Sequence, residues 1–159
     1  MRHKRCLTPC RIKVERMAKL FAYGTLQMPE VFRAVTGRSL PARPATLAGY
    51  ARYRLRGLGY PGLIAEPGAV TEGLLITGIG PRELARLDHF EDDFYRRVTL
   101  RVSIGAGELV RADVYVIPAA HRDLIEPRLW QLDAFVLDEW PEFLRRCRAG
   151  GACAGDRGA

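Results

Sequence analysis

At 159 residues, with 48% hydrophobic and 27% charged side chains, the chain has the length and balance of one soluble globular domain. Such a domain buries a core without disulfides or metals, which argues against the disordered and membrane classes. The formal charge of +7 sits at the start: residues 1–19 hold Arg2, Lys4, Arg5, Arg11, Lys13, Arg16 and Lys19 against Glu15 alone, a net +6, leaving +1 for the rest.

Residues 1–18 therefore read as a basic, disordered tail, and a nucleic-acid reading would rest on that tail alone. It contains no apolar run of signal-peptide length, so the expected location is the cytoplasm. Met17, directly before the first strand-like run, is a second candidate start. Cys6, Cys10, Cys147 and Cys153 lie near the ends at spacings that are poor for zinc and read as free thiols.

Residues 19–146 form the expected domain. Leu20–Tyr23 is an apolar run broken at Gly24, which predicts a buried strand entering a turn. Pro29–Val35, with Pro at its start and Gly37 after it, predicts a short helix. Ala45–Leu55 alternates as a strand, and Gly57–Gly62, with three glycines and a proline, predicts a loop. Leu63–Glu66 and Val70–Thr77 are expected as two strands joined by a Pro67-Gly68 turn.

Pro81–Glu91 predicts a helix. Val98–Ile104 and Leu109–Ile117 flank Gly105-Ala106-Gly107-Glu108 and predict a hairpin. Leu132, Val136, Trp140, Phe143 and Leu144 keep helical spacing, with Pro141 kinking that helix or starting a second one after Asp138 and Glu139. The Gly/Ala-rich residues 147–159 read as a flexible tail. Strands dominate with a few helices among them, an α+β pattern whose sheet could curl toward a barrel.

The chemistry is first bounded by what is scarce. Ser39 and Ser103 are the only serines and His3, His89 and His121 the only histidines, so a Ser/His/Asp or Cys/His triad has almost no material and no core metal-ligand pair appears. Gly57-Leu58-Gly59-Tyr60-Pro61-Gly62 matches G-x-G-x-x-G, but Pro61 and the short run after it leave no helix to receive a pyrophosphate.

At about 100° per residue, Leu84, Leu87 and Phe90 form one apolar stripe and Glu91 falls within roughly 40° of its centre, with Asp88 and Asp92 well to the side. An acid on an inward stripe has its charged form desolvated and its pKa raised, which suits a general acid/base near neutral pH. The other reading is that the helix ends near Asp88 and Glu91 is one solvated acid of a Glu-Asp-Asp cap. Tyr23-Gly24-Thr25-Leu26 is either a plain turn or a run of backbone N–H groups able to hold a carboxylate or an oxyanion.

In order along the chain stand Tyr23-Gly24-Thr25-Leu26, Pro29-Glu30-Val31, Thr36-Gly37-Arg38, Tyr60-Pro61-Gly62-Leu63, Glu72-Gly73-Leu74-Leu75, Leu87-Asp88-x-Phe90-Glu91-x-x-x-Tyr95-x-Arg97 and Val114-Tyr115-Val116. This succession resembles the γ-glutamylcyclotransferase-like family, in its AIG2-like branch. The resemblance implies a small mixed β-barrel with flanking helices, and a cavity between the Y-G-T-L turn and the acidic motif. It implies an enzyme, without metal or cofactor, that cyclises a γ-glutamyl amine or peptide to 5-oxoproline and releases the amine.

Carried over by residue, Glu91 would be the general acid/base, and Tyr23, Gly24, Thr25 and Leu26 would hold the glutamyl group. Tyr60, Pro61 and Tyr95 would form the remaining walls, although Tyr60 and Tyr95 read equally well as core residues. Asp92-Asp93 stands where many relatives place a glycine, which leaves the leaving group open. The implied partner is a small γ-glutamyl substrate, with neither membrane nor nucleic acid expected. The alternative is a non-catalytic module of the same fold that binds a small ligand or a partner.

Overall fold

A computed structural model of the chain describes residues 16–148. The readings made of the first fifteen residues, of residues 149–159 and of the cysteine side chains fall outside it.

Five strands close a mixed barrel. They are β1 (Ala18–Ala22), β2 (Ala42–Leu55), β3 (Pro61–Ile79), β4 (Arg96–Ser103) and β5 (Leu109–Val116). They run in the order β3-β1-β5-β4-β2, and β2 pairs back onto β3. Only β1 and β5 are parallel; the other pairs are antiparallel. A sixth strand, β6 (Ile125–Leu129), adds to the free side of β2. Around the barrel lie α1 (Pro29–Thr36), α2 (Pro81–Phe90), α3 (Leu132–Asp138) and α4 (Trp140–Arg148).

Past its exposed Lys19, the short β1 is apolar because both its faces are covered. Phe21 and Tyr23 join Leu47, Leu63, Leu75, Val102 and Val114 inside the barrel. Leu20 and Ala22 face the other way, toward Val31, Phe32, Ile79 and Leu87 under the helices. A strand buried on both faces loses the polar alternation of a half-exposed one. Gly73 of β3 lets β1 pass closely, since a Cβ there would come within 2.4 Å of the Ala22 carbonyl oxygen.

The β4–β5 hairpin forms in full register from Arg96 opposite Val116 to Ser103 opposite Leu109. Gly37, at φ +78, ends α1 as the left-handed cap its position predicts.

Several expectations are corrected. Leu63–Glu66 and Val70–Thr77 are one strand, because Pro67-Gly68 does not reverse the chain. Tyr50 of β2 opposes Ala65 and Ala48 opposes Val70. The extra β3 residues, with Gly68 at φ +84, form a bulge that bends a continuous strand. The Gly57–Gly62 loop stops early, since Pro61 and Gly62 already belong to β3. The helix predicted to Glu91 ends at Phe90, and Glu91 caps it in extended backbone.

The last helical segment is two helices, one of the two readings of Pro141; within α3 it is Phe135 that is buried, at 2% exposure, while Val136, expected on the apolar stripe, is 38% exposed. β6, unpredicted, carries Pro127 and mostly exposed residues on an edge, so no buried periodicity marked it. Among the described residues no helix is long and apolar enough to cross a membrane.

Candidate active site

Where β1 ends, the chain turns sharply across the barrel mouth. Gly24 is squeezed there, since a Cβ on it would lie 2.9 Å from Cγ of Pro61. Thr25–Gln27 follow as one 3-10 turn, in which the Gln27 N–H donates to the Gly24 carbonyl at 3.1 Å and the Met28 N–H to that of Thr25 at 3.0 Å. The N–H groups of Thr25 and Leu26 open this turn and have no place in its own bonding.

The turn forms one wall of a cavity of about 40 Å³, open on one side. Every residue singled out from sequence lines it: Tyr23, Gly24, Thr25 and Leu26 from the turn, Tyr60 and Pro61 from the start of β3, Glu91 from the end of α2, and Tyr95 just before β4. The Gly57–Gly62 segment thus enters a strand and contributes the cavity rim. Tyr60 and Tyr95 line the cavity, and Tyr95 also packs against the core beneath the helices, so the two sequence readings of that residue are compatible.

The tyrosine hydroxyls are held in place by the frame. Tyr23 Oη donates to the Tyr115 carbonyl at 2.6 Å and Tyr95 Oη to the Pro61 carbonyl at 2.5 Å. Tyr60 donates to the carboxylate of Asp92. Burial pushes the Tyr23 and Tyr95 phenols well above their ordinary range, with the nearby Glu91 charge adding to it, so both remain neutral.

Glu91 is half-buried and its backbone N–H still bonds the Leu87 carbonyl at 3.1 Å. Desolvation raises its carboxyl to about 8, and the charges of Asp92 and Asp88 push the same way. Glu91 is thus a cap residue, as the second reading had it, but one that lines the cavity. The direction Glu91 takes comes from its extended cap conformation rather than from helical spacing.

Asp92, expected to point to the side, instead lines the cavity, because the helix has ended two residues before it and the 100° rule no longer applies. Asp88 does face outward. Arg97 grips it through Nε at 2.8 Å and Nη2 at 3.1 Å, and Tyr115 Oη donates to it at 2.8 Å.

Among the further lining residues, Tyr115 and Phe143 are two that sequence reasoning did not assign to a site. Tyr115 appeared only as part of Val114-Tyr115-Val116, where strand alternation cannot tell barrel wall from cavity. Phe143 of α4 closes one side; it is 3% exposed and packs edge-on to Phe135 and in a stack with Trp140. Its aromatic spacing signalled burial but not which surface it would meet. Trp130 Nε1, donating to the Gly59 carbonyl at 2.9 Å, and Arg54, bonded to Glu139 at 2.9 Å, tie this C-terminal layer to the Tyr60 loop.

Comparison with known proteins places the chain. The family described as "Gamma-glutamyl cyclotransferase, AIG2-like" matches residues 20–132, well over half of the chain. Among curated relatives, Protein AIG2 C of Arabidopsis thaliana is 36% identical over 61% of this chain and 59% of its own length. AIG2-like protein C of the same plant is 37% identical over 61% and 57%. The chain thus spans somewhat over half the length of these relatives.

Two solution structures of Arabidopsis thaliana proteins superpose with TM-scores of 0.64 and 0.62, at 25% and 29% identity. They cover 86% and 84% of this chain, and 91% and 81% of theirs. A structure described as a gamma-glutamyl cyclotransferase shares the fold at a TM-score of 0.58, with 16% identity over 65% of this chain and 68% of that one. The family match ends at residue 132, where α3 begins, so the Phe143 wall lies beyond it.

Proposed function

The chain belongs to the γ-glutamyl cyclotransferase, AIG2-like family, and from that premise we propose that its cavity cyclises a γ-glutamyl amine or γ-glutamyl peptide to 5-oxoproline and releases the amine. The observation that carries this reading is a carboxyl held at about 8 in the same small cavity as the Tyr23–Leu26 turn.

The substrate's own α-amine is the nucleophile, which agrees with the scarcity of serine and histidine. Glu91, as carboxylate, takes a proton from the α-ammonium; the freed amine attacks the γ-carbonyl carbon, and a C–N bond forms. Glu91 near 8 is well matched to this task, because an α-amino group also titrates at about 8 and the transfer is then nearly even.

The carbonyl oxygen becomes an oxyanion, which the backbone N–H groups of the turn stabilise. Protonated Glu91 then delivers its proton to the departing nitrogen and the old C–N bond breaks; Glu91 takes the second proton from the ring nitrogen and passes it to the freed amine, leaving the neutral five-membered lactam and an ammonium. No water or cofactor enters the balance. The cavity contributes by holding the chain folded back on itself, a conformer for which ring closure loses little further entropy.

The test is 5-oxoproline release, followed by mass spectrometry, from a panel of γ-glutamyl amino acids, amines and peptides with the wild type beside Glu91→Gln. Turnover by the wild type and its loss in the variant is the expected result. Equal activity in the two proteins would remove Glu91 from this role. Binding of panel members without any turnover would replace the enzyme reading with the non-catalytic binding module.

A further inference from the structure

A partly buried cation holds the turn by a carbonyl. Arg52, half-buried on β2, points its Nη1 at the Tyr23 carbonyl oxygen at 2.6 Å and reaches the Glu72 carbonyl at 3.5 Å. Its guanidinium lies 5.1 Å from the centre of the Trp130 ring, and its own carbonyl accepts from the Trp130 N–H at 3.1 Å. Arg52 does not line the cavity. It lines a separate polar groove with Gln27, Glu72 and Gln131.

The peptide unit between Tyr23 and Gly24 is planar and trans, so its C=O and N–H point in opposite directions. Tethering the carbonyl to Arg52 therefore directs the Gly24 N–H away from the groove. Gly24 itself lines the cavity, and Arg52 does not. A charge-assisted bond to the carbonyl also polarises the peptide, which strengthens its N–H as a donor.

We infer that Arg52 is a positioning residue: by anchoring the Tyr23 carbonyl it aims the Gly24 N–H into the cavity as an oxyanion donor for acyl transfer at a γ-carbonyl. This deepens the proposed cyclisation and rests on it for the identity of the oxyanion. Its structural half, the orientation of one peptide, stands independently. Burial lowers the Arg52 pKa from its ordinary value, with the charge of Glu72 opposing the shift. The guanidinium is thus partly desolvated where it meets the carbonyl, which strengthens that bond.

Two variants and two readouts test this. Arg52→Met removes the tether, and Arg52→Lys keeps the charge and a single shorter-reaching donor. Residual dipolar couplings of the Gly24 amide report the direction of its N–H in each folded protein without reference to activity. The expected result is a reoriented Gly24 N–H in Arg52→Met and a nearly native one in Arg52→Lys.

In turnover, kcat for Arg52→Met should fall about tenfold to a hundredfold, in line with loss of one oxyanion donor. KM should stay within about twofold, because that contact strengthens only in the transition state. Arg52→Lys should recover part of kcat, and the pH midpoint set by Glu91 should not move.

A Gly24 N–H with unchanged direction in Arg52→Met would overturn the inference, as would a loss expressed in KM alone. Should the wild type turn over no γ-glutamyl compound, the proposed cyclisation fails, and the dipolar couplings alone decide the positioning role by the same two outcomes.

Discussion

Two carboxylates at the end of α2 lie three residues apart and live in different surroundings. Asp88 faces outward, gripped by Nε and Nη2 of Arg97 and bonded by the Tyr115 hydroxyl, while Nη1 of Arg97 continues to Asp113 at 3.1 Å. Glu91 faces the cavity, where burial and two neighbouring acids all raise its pKa and nothing offsets them. The residue type is nearly the same, but the partners differ. A carboxylate with a matched cation fastens the helix end to the barrel, and one raised by burial and like charges suits the proton transfer proposed for it.

The contrast breaks most visibly at Glu91. Removing the proposed proton carrier with Glu91→Gln should lower kcat by about a hundredfold to ten-thousandfold, the range of general acid/base catalysis, as read from 5-oxoproline release. In the wild type, kcat/KM should climb with pH toward about 8 as Glu91 becomes the active carboxylate, and fall again above it as the substrate's α-ammonium loses the proton that Glu91 must carry to the leaving amine.

The same shift acts on stability with a definite sign. The folded-state pKa of Glu91 is raised, so its favourable contribution is complete below the ordinary carboxylate range and is lost as pH rises through about 8. Thermal melts should show Glu91→Gln more stable than wild type at pH 9, by up to a few kcal/mol. The advantage should shrink steadily toward pH 5. A constant difference across that range would mean that Glu91 is not desolvated in solution.

A smaller effect is expected at the turn facing Glu91. Gly24→Ala forces a methyl against Pro61, which at 2.9 Å has no room for it. Overpacking of this kind costs about 1–3 kcal/mol, to be measured by denaturant unfolding. Turnover should fall with it, because the turn and the β3 rim separate.

The smallest effect sharpens the comparison from the Asp88 side. Asp88→Asn removes one of the negative charges that raise Glu91, so the pH midpoint of kcat/KM should move down by a fraction of a unit. The ion pair it breaks is partly exposed, at 34% and 42% for the two side chains, and should cost no more than about 1 kcal/mol. An upward movement of the midpoint would show that Asp88 acts through the helix position instead of through its charge.

Much of the fold was legible because its signals are local. The apolar run Leu20–Tyr23 with its glycine stop, the Pro29 and Gly37 brackets of α1, and the Gly105–Gly107 turn between β4 and β5 each describe a few neighbouring residues whose backbone preferences agree with the structure. The Y-G-T-L, Y-P and L-D-x-F-E-x-x-x-Y motifs likewise carried the family and the eight cavity residues.

Other features had no local marker. Pro67-Gly68 reads as a turn by composition, and only the pairing of both flanks with the one strand β2 makes it a bulge. β6 is short and exposed and exists because β2 offers it an edge. Phe143 and Arg52 reach the site from distant segments, one through the α3–α4 break and the other through a carbonyl 29 positions away.

The sequence by itself determined most of the elements and which residue types could do the chemistry, because backbone preference and hydrophobic periodicity act over a few residues. Tertiary structure alone decided that Glu91 is desolvated while Asp88 is paired, and that Asp92 joins the cavity. Desolvation and charge pairing depend on what the rest of the chain packs against a group, and no short window of sequence contains that.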